Sequence, residues 1–136
     1  MANYDLYKNI DPGSITSATS SLRQKLTTNQ TKLQSFDSTL TDSMWKATSK
    51  ATLKEALGKI DGEVYPNILS ALDNLDTAAG LITQYNDAKE AAIKYKGYLS
   101  NATEDTLESD INSWKLNLEA KEKIMDDCET KINGLK

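Results

Sequence analysis

The chain has 136 residues and a net charge of −4, with 38% hydrophobic and 26% charged side chains. That length predicts one domain burying roughly 65–70% of the surface its unfolded form exposes, enough for a core without disulfides or metal. With no histidine and a single cysteine, Cys128, the chain lacks a Ser-His or Cys-His nucleophile pair, an imidazole zinc ligand and a CxxC site.

Acidity makes duplex nucleic acid a poor ligand, because such binding relies on a basic face that neutralises phosphates. Arg23 is the only arginine, so bidentate recognition of phosphate clusters is also disfavoured. Charge is unevenly placed: residues 12–52 carry +3 and residues 103–136 carry −4. The plain reading is solvated helix faces, although such asymmetry can also order antiparallel helices against each other.

Residues 1–13 are polar and aromatic, with Tyr4, Leu6, Tyr7 and Ile10 too close together for one helical period. They predict an irregular arm packed across the domain, and they do not have the basic-then-apolar pattern of a signal peptide. Asp11-Pro12-Gly13 breaks the chain, and Ser14 can cap a helix over about 14–40. In it Ile15, Leu22, Asn29 and Phe36 recur every seven residues, with Leu26, Leu33 and Leu40 in step beside them. Its remaining positions are rich in Thr, Ser and Gln, so the helix depends on packing more than on propensity. Asn29 on the stripe reads as an edge residue reaching water, or as a register-fixing polar contact.

The stripe stops at 41–47, where Ser43-Met44-Trp45-Lys46-Ala47 suggests a helical hairpin turn with Trp45 plugging its end or offering a docking surface. A second helix is expected over about 44–97, with Leu53, Leu57, Ile60, Val64, Ile68, Leu72, Leu75, Ala79, Ile82 and Tyr85 at steps of three and four. Asp61-Gly62 and Pro66 interrupt it, so it is kinked or split near 61–66; the surviving apolar phase favours a bend over a loop. A third helix over about 102–134 shows the cleanest stripe: Leu107, Ile111, Trp114, Leu118, Lys121, Met125, Cys128, Ile132 and Leu135. Asn101 or Thr103 can cap it. No segment alternates with period two. The class is therefore all-α: one helical bundle domain over 14–136, made of three long amphipathic helices behind an arm at 1–13.

Chemistry is sparse. The carboxylate pairs Glu104/Asp105 and Asp126/Asp127 sit on faces expected to be exposed, Cys128 is one more stripe position, and no phosphate-binding loop is present. No cofactor or metal is expected. The apolar runs all fall short of the ~20 residues a spanning helix needs.

Leu33, Phe36 and Leu40 before the turn, Ser43 to Ala47 at it, and Leu53, Leu57 and Ile60 after it carry a family resemblance. A long amphipathic helix, a Trp-x-Gly-like turn and a second long helix resemble the WXG superfamily of small helical proteins of type VII secretion, over roughly residues 14–95. Ala47 stands where that turn usually has glycine, and the third helix is an addition. In size and acidity the chain is similar to the longer helical partners of LXG-type toxins in Gram-positive bacteria. The resemblance implies a non-enzymatic targeting factor or chaperone in the bacterial cytoplasm, co-exported if at all by a route independent of a signal peptide. It would bind the helical N-terminal domain of a secreted toxin, or a second small helical protein, through Leu22, Leu26, Leu33, Phe36, Leu40 and Trp45. The alternative is a self-assembling structural protein, such as a homodimeric coiled-coil-like component of a phage or cell-surface assembly.

Overall fold

A computed structural model describes residues 2–39 and 48–135. The fold is all-helical, and no strand occurs among the described residues. Helix α1 spans Pro12–Thr39, α2 Thr48–Lys59, α3 Tyr65–Ser100 and α4 Glu108–Asn133. Residues 41–47, where the sequence suggests a hairpin turn with Trp45, lie outside the described residues, as does Leu40.

Helix α1 starts one turn earlier than its serine suggests. Pro12 takes the first helical position, where a missing N–H costs nothing. Asp11 Oδ1 accepts the Gly13 N–H at 3.0 Å, so the aspartate caps one of the orphan donors.

Between α2 and α3 the chain stays helical but widens into a π-turn at Ile60–Val64. There the Tyr65 N–H donates to the Ile60 carbonyl, five residues back. Pro66 explains the position: it has no N–H for the Gly62 carbonyl, and its ring would press on that carbonyl in a regular α-helix. The wider turn accommodates both problems without ending the helix. Residues 48–100 thus run as one helical stretch with a kink, the bend that the surviving apolar phase favours over a loop.

The described chain divides into two compact units, Ser14–Asp76 and Met1–Gly13 with Thr77–Lys136.

In the second of these, α3 contributes Leu81, Tyr85, Ala88 and Ala92 at steps of four and three, and α4 contributes Met125 and Cys128. Two of the four α3 positions are alanines, and the space they leave is taken by the N-terminal arm. Ala2 is buried in this core, and Tyr4, Leu6 and Tyr7 pack against it with Leu118, Ile132 and Leu135. Tyr85 is fully buried; its hydroxyl donates to the Asn3 carbonyl, and its ring meets Tyr7 edge-on at 5.1 Å. The Lys96 ammonium sits 3.9 Å above the Tyr4 ring. To make these contacts the arm turns at Tyr7, whose φ of 59° is left-handed, a conformation a tyrosine adopts only when packing holds it there.

The Ser14–Asp76 unit is built differently. From Ile15 onward, the residues of α1 shielded from solvent are Ile15, Thr19, Arg23, Leu26, Gln30, Leu33 and Asp37, at steps of four and three. That is a coiled-coil-like seam in which, from Arg23 on, polar and leucine positions alternate. Its polar members find partners elsewhere in the unit. Thr19, 2% exposed, donates its hydroxyl to Asp76. Arg23 Nη2 bridges Asp73 and Asp76 at 2.8 Å each. Gln30 Nε2 donates to Asp61 at 2.6 Å, and Lys54 Nζ lies 3.4 Å from Asp37. Leu57, Tyr65 and Leu72 supply the buried apolar part.

Candidate partner-binding face

A helix shows only one stripe to its neighbours, so burial of the 19–23–26–30–33–37 line leaves the 22–29–36 line outside. Those two lines are about 80° apart round the helix at about 100° per residue. Leu22 is accordingly 47% exposed and Phe36 49% exposed. Leu26 and Leu33, which the sequence places beside them, are half-buried in the seam. The residues expected to bind a partner therefore fall into two sets: Leu22 and Phe36 on the outer face, Leu26 and Leu33 at the seam. Leu40 and Trp45 lie outside the described residues.

A second exposed apolar line lies in the same unit and was hidden inside the single stripe read from the sequence. Val64, Ile68 and Leu75 are 46%, 38% and 48% exposed, and Ala71 between them is exposed as well. The steps of four, three and four put them on one face of the helix. The neighbouring line of Tyr65, Leu69, Leu72 and Asp76 is the one turned away from solvent. The signal for this split is the width of the apolar arc: a helix with one partner buries a narrower stripe than residues 64–76 offer.

Charge on the outer side of α1 is one-signed. Lys25 and Lys32 lie on the same 22–25–29–32–36 line, both exposed, and neither joins an ion pair among the described residues. The only acidic residue of α1, Asp37, is at the seam near Lys54.

Reactive chemistry is scarce at these places. Cys128 is 3% exposed, and burial pushes its thiol up from the ordinary cysteine value, which leaves it a small buried hydrophobe. Among the described residues no group of three or more Cys, Asp or Glu side chains is placed to hold a metal ion. A cavity of about 60 Å³, lined by Leu33, Gln34, Asp37, Leu57, Gly58 and Asp61, has room for little more than water. No helix among the described residues is long and apolar enough to cross a membrane.

At the head of α4 the N-cap is Leu107, 65% exposed and making no side-chain cap hydrogen bond. Asn101 and Thr103 stand in the turn before it, where the Thr103 N–H donates to the Thr106 hydroxyl at 2.9 Å. Glu108 and Asp110 in the first turn and Lys131 in the last complement the helix dipole.

Compared with known protein families, with characterised proteins and with solved structures, the chain matches none.

Proposed function

We propose that this chain is a non-enzymatic helical partner protein that covers an amphipathic helix of a client, in the manner of the targeting factors that accompany type VII-secreted toxins. The observation that carries the reading is the division of α1: its seam is already occupied, yet Leu22 and Phe36 stand half exposed on a separate face. A client helix laid on that face would bury both side chains and cover the line at i, i+7 and i+14, the anchor spacing of helix-in-groove recognition. Val64, Ile68 and Leu75 form a second exposed apolar line in the same unit. In this reading Leu26 and Leu33 support the face from the seam, and a helical hairpin turn carrying Trp45 forms the tip of the docking surface.

Co-expression with the helical N-terminal domain of a neighbouring toxin tests the proposal. A co-purifying 1:1 complex that is lost on Leu22→Glu, with the helical circular dichroism of the chain retained, is the expected result. A well-behaved chain with no stable partner among the products of its own operon would sink it. A closed homodimer that persists in high salt and binds no client would favour the self-assembling alternative.

A further inference from the structure

We infer that residues 2–10 form a releasable strap, which lifts off α3 and α4 as one piece while both helices keep their fold and thereby opens the core at Cys128. The arm and the helices beneath it belong to the same compact unit. The strap differs from those helices in what holds its backbone. Turns hold it rather than a ladder: the Ile10 N–H donates to the Tyr7 carbonyl at 3.0 Å, and the Asp5 N–H to the Asn3 side chain at 2.9 Å. No run of helical hydrogen bonds has to break before the segment lifts.

Two costs are paid only while the strap is down. Tyr7 sits at a φ of 59°, the left-handed region that opposes any residue with a Cβ, and a free chain relaxes out of it. The Tyr4 hydroxyl is buried with no hydrogen-bond partner among the described residues; the Glu122 carboxylate is near enough to raise its pKa yet outside bonding geometry. Once released, that hydroxyl is bonded by water. Against these costs stand side-chain contacts that all tie the same short segment to its groove. Ala2 is buried, the Asn3 carbonyl accepts from the Tyr85 hydroxyl, the Tyr7 ring meets Tyr85, and the Lys96 ammonium lies over the Tyr4 ring. Because they share one segment, they are lost together.

Release uncovers the floor of the groove. Ala88 and Ala92 have no side chain long enough to close over Met125 and Cys128, and Tyr7 lies beside Cys128. Cys128 is the only cysteine and is 3% exposed, so its thiol reports whether the strap is down. The α1 face lies in the other unit, so client binding and strap release are separately measurable.

Alkylation of Cys128 by iodoacetamide in the full chain, followed against denaturant, is the test. Labelling in water should run at least about tenfold faster than the global unfolding equilibrium allows, with a denaturant slope that is a minor fraction of the global one, because only the surface under the arm is exposed. Lys96→Gln removes the cation above the Tyr4 ring and should speed labelling by about two- to fivefold. Tyr4→Phe keeps the ring, removes the unbonded hydroxyl and should slow labelling by about threefold or more. Helical circular dichroism should be unchanged in both variants. Labelling that tracks global unfolding would overturn the inference. Rates unmoved by either substitution would do so too, since fraying of α4 from its end at Asn133 would then be the route to the thiol.

Discussion

The two units solve the same problem, holding helices together, with different chemistry. Around Tyr85 the structure uses burial: Ala2, Tyr4, Leu6 and Tyr7 of the arm pack with Ala88, Ala92, Met125 and Cys128. Between α1 and the start of α3 it uses pairing: Thr19 and Arg23 to Asp73 and Asp76, and Gln30 to Asp61. Burial is insensitive to salt and acid and costly to disturb. Exposed ion pairs are worth little each and respond to both. The contrast bears on the proposed client binding, because the exposed Leu22 and Phe36 belong to the unit held by pairing, where local opening should cost less.

The largest effect should come from the aromatic core. Tyr85→Ala removes a fully buried ring together with its hydrogen bond to Asn3 and its edge contact with Tyr7. A loss of about 3–5 kcal/mol in denaturant unfolding is expected, as for other large-to-small changes at buried aromatics. Amide exchange should show that loss in the arm, the 81–92 stretch and α4. An equal loss of protection at Thr19 to Leu33 would break the contrast between the units.

Titration should separate the units from opposite ends of the pH scale. The Thr19 hydroxyl, then Arg23, hold the Asp76 carboxyl below its ordinary value of 3.8. A carboxylate depressed in the fold stabilises above its unfolded value, and that contribution is lost as pH falls through the folded value, because the unfolded chain binds the extra proton. Acid below about pH 4 should therefore loosen α1 first. At the alkaline end burial, then the charge of Glu122, pushes the Tyr4 phenol from 10.0 up to about 12, and burial also raises Tyr7 and Tyr85. Phenols raised in the fold stabilise below their unfolded value, and this is lost as pH rises from about 10 through 12. Amide NMR across both limbs checks the assignment, and Asp76→Asn should flatten the acid limb while leaving the alkaline one in place.

A smaller change sharpens the polar side. Thr19→Val keeps the shape of a buried side chain and removes its hydrogen bond to Asp76. About 1 kcal/mol of lost stability is expected, the usual net worth of one such bond. A change within the error of denaturant melts would mean that Arg23 alone holds this joint.

How much of this the sequence discloses depends on what each helix packs with. The α4 stripe was legible from Ile111 on because its contacts are apolar: Ile111, Trp114, Leu118, Met125, Cys128, Ile132 and Leu135 are all buried or half-buried, and even Lys121 follows the line, whereas Leu107, read as its first member, is 65% exposed. In α1 the same reasoning located a helix but not its inner side. Arg23, Gln30 and Asp37 look like surface residues until Asp73, Asp61 and Lys54, distant in the chain, are brought beside them. Nothing in local periodicity encodes such pairings. In the kinked helix, two adjacent apolar lines read as one stripe, and only packing separates exposed Val64, Ile68 and Leu75 from buried Tyr65 and Leu72. The candidate face was thus half visible: Leu22 and Phe36 stood out as apolar, but that they lie outside the seam did not.

The smallest predicted effect has the opposite sign. Leu107→Ser replaces an exposed leucine at the head of α4 with a side chain able to accept an orphan N–H of the first turn. The expected gain is about 0.5–1 kcal/mol, the ordinary advantage of serine over an aliphatic N-cap. Because α4 packs in the burial-held unit, the gain should appear as slower amide exchange at Asp110 and Ile111, with α1 unaffected. A variant more stable than the natural chain means that Leu107 is not retained for the stability of one copy.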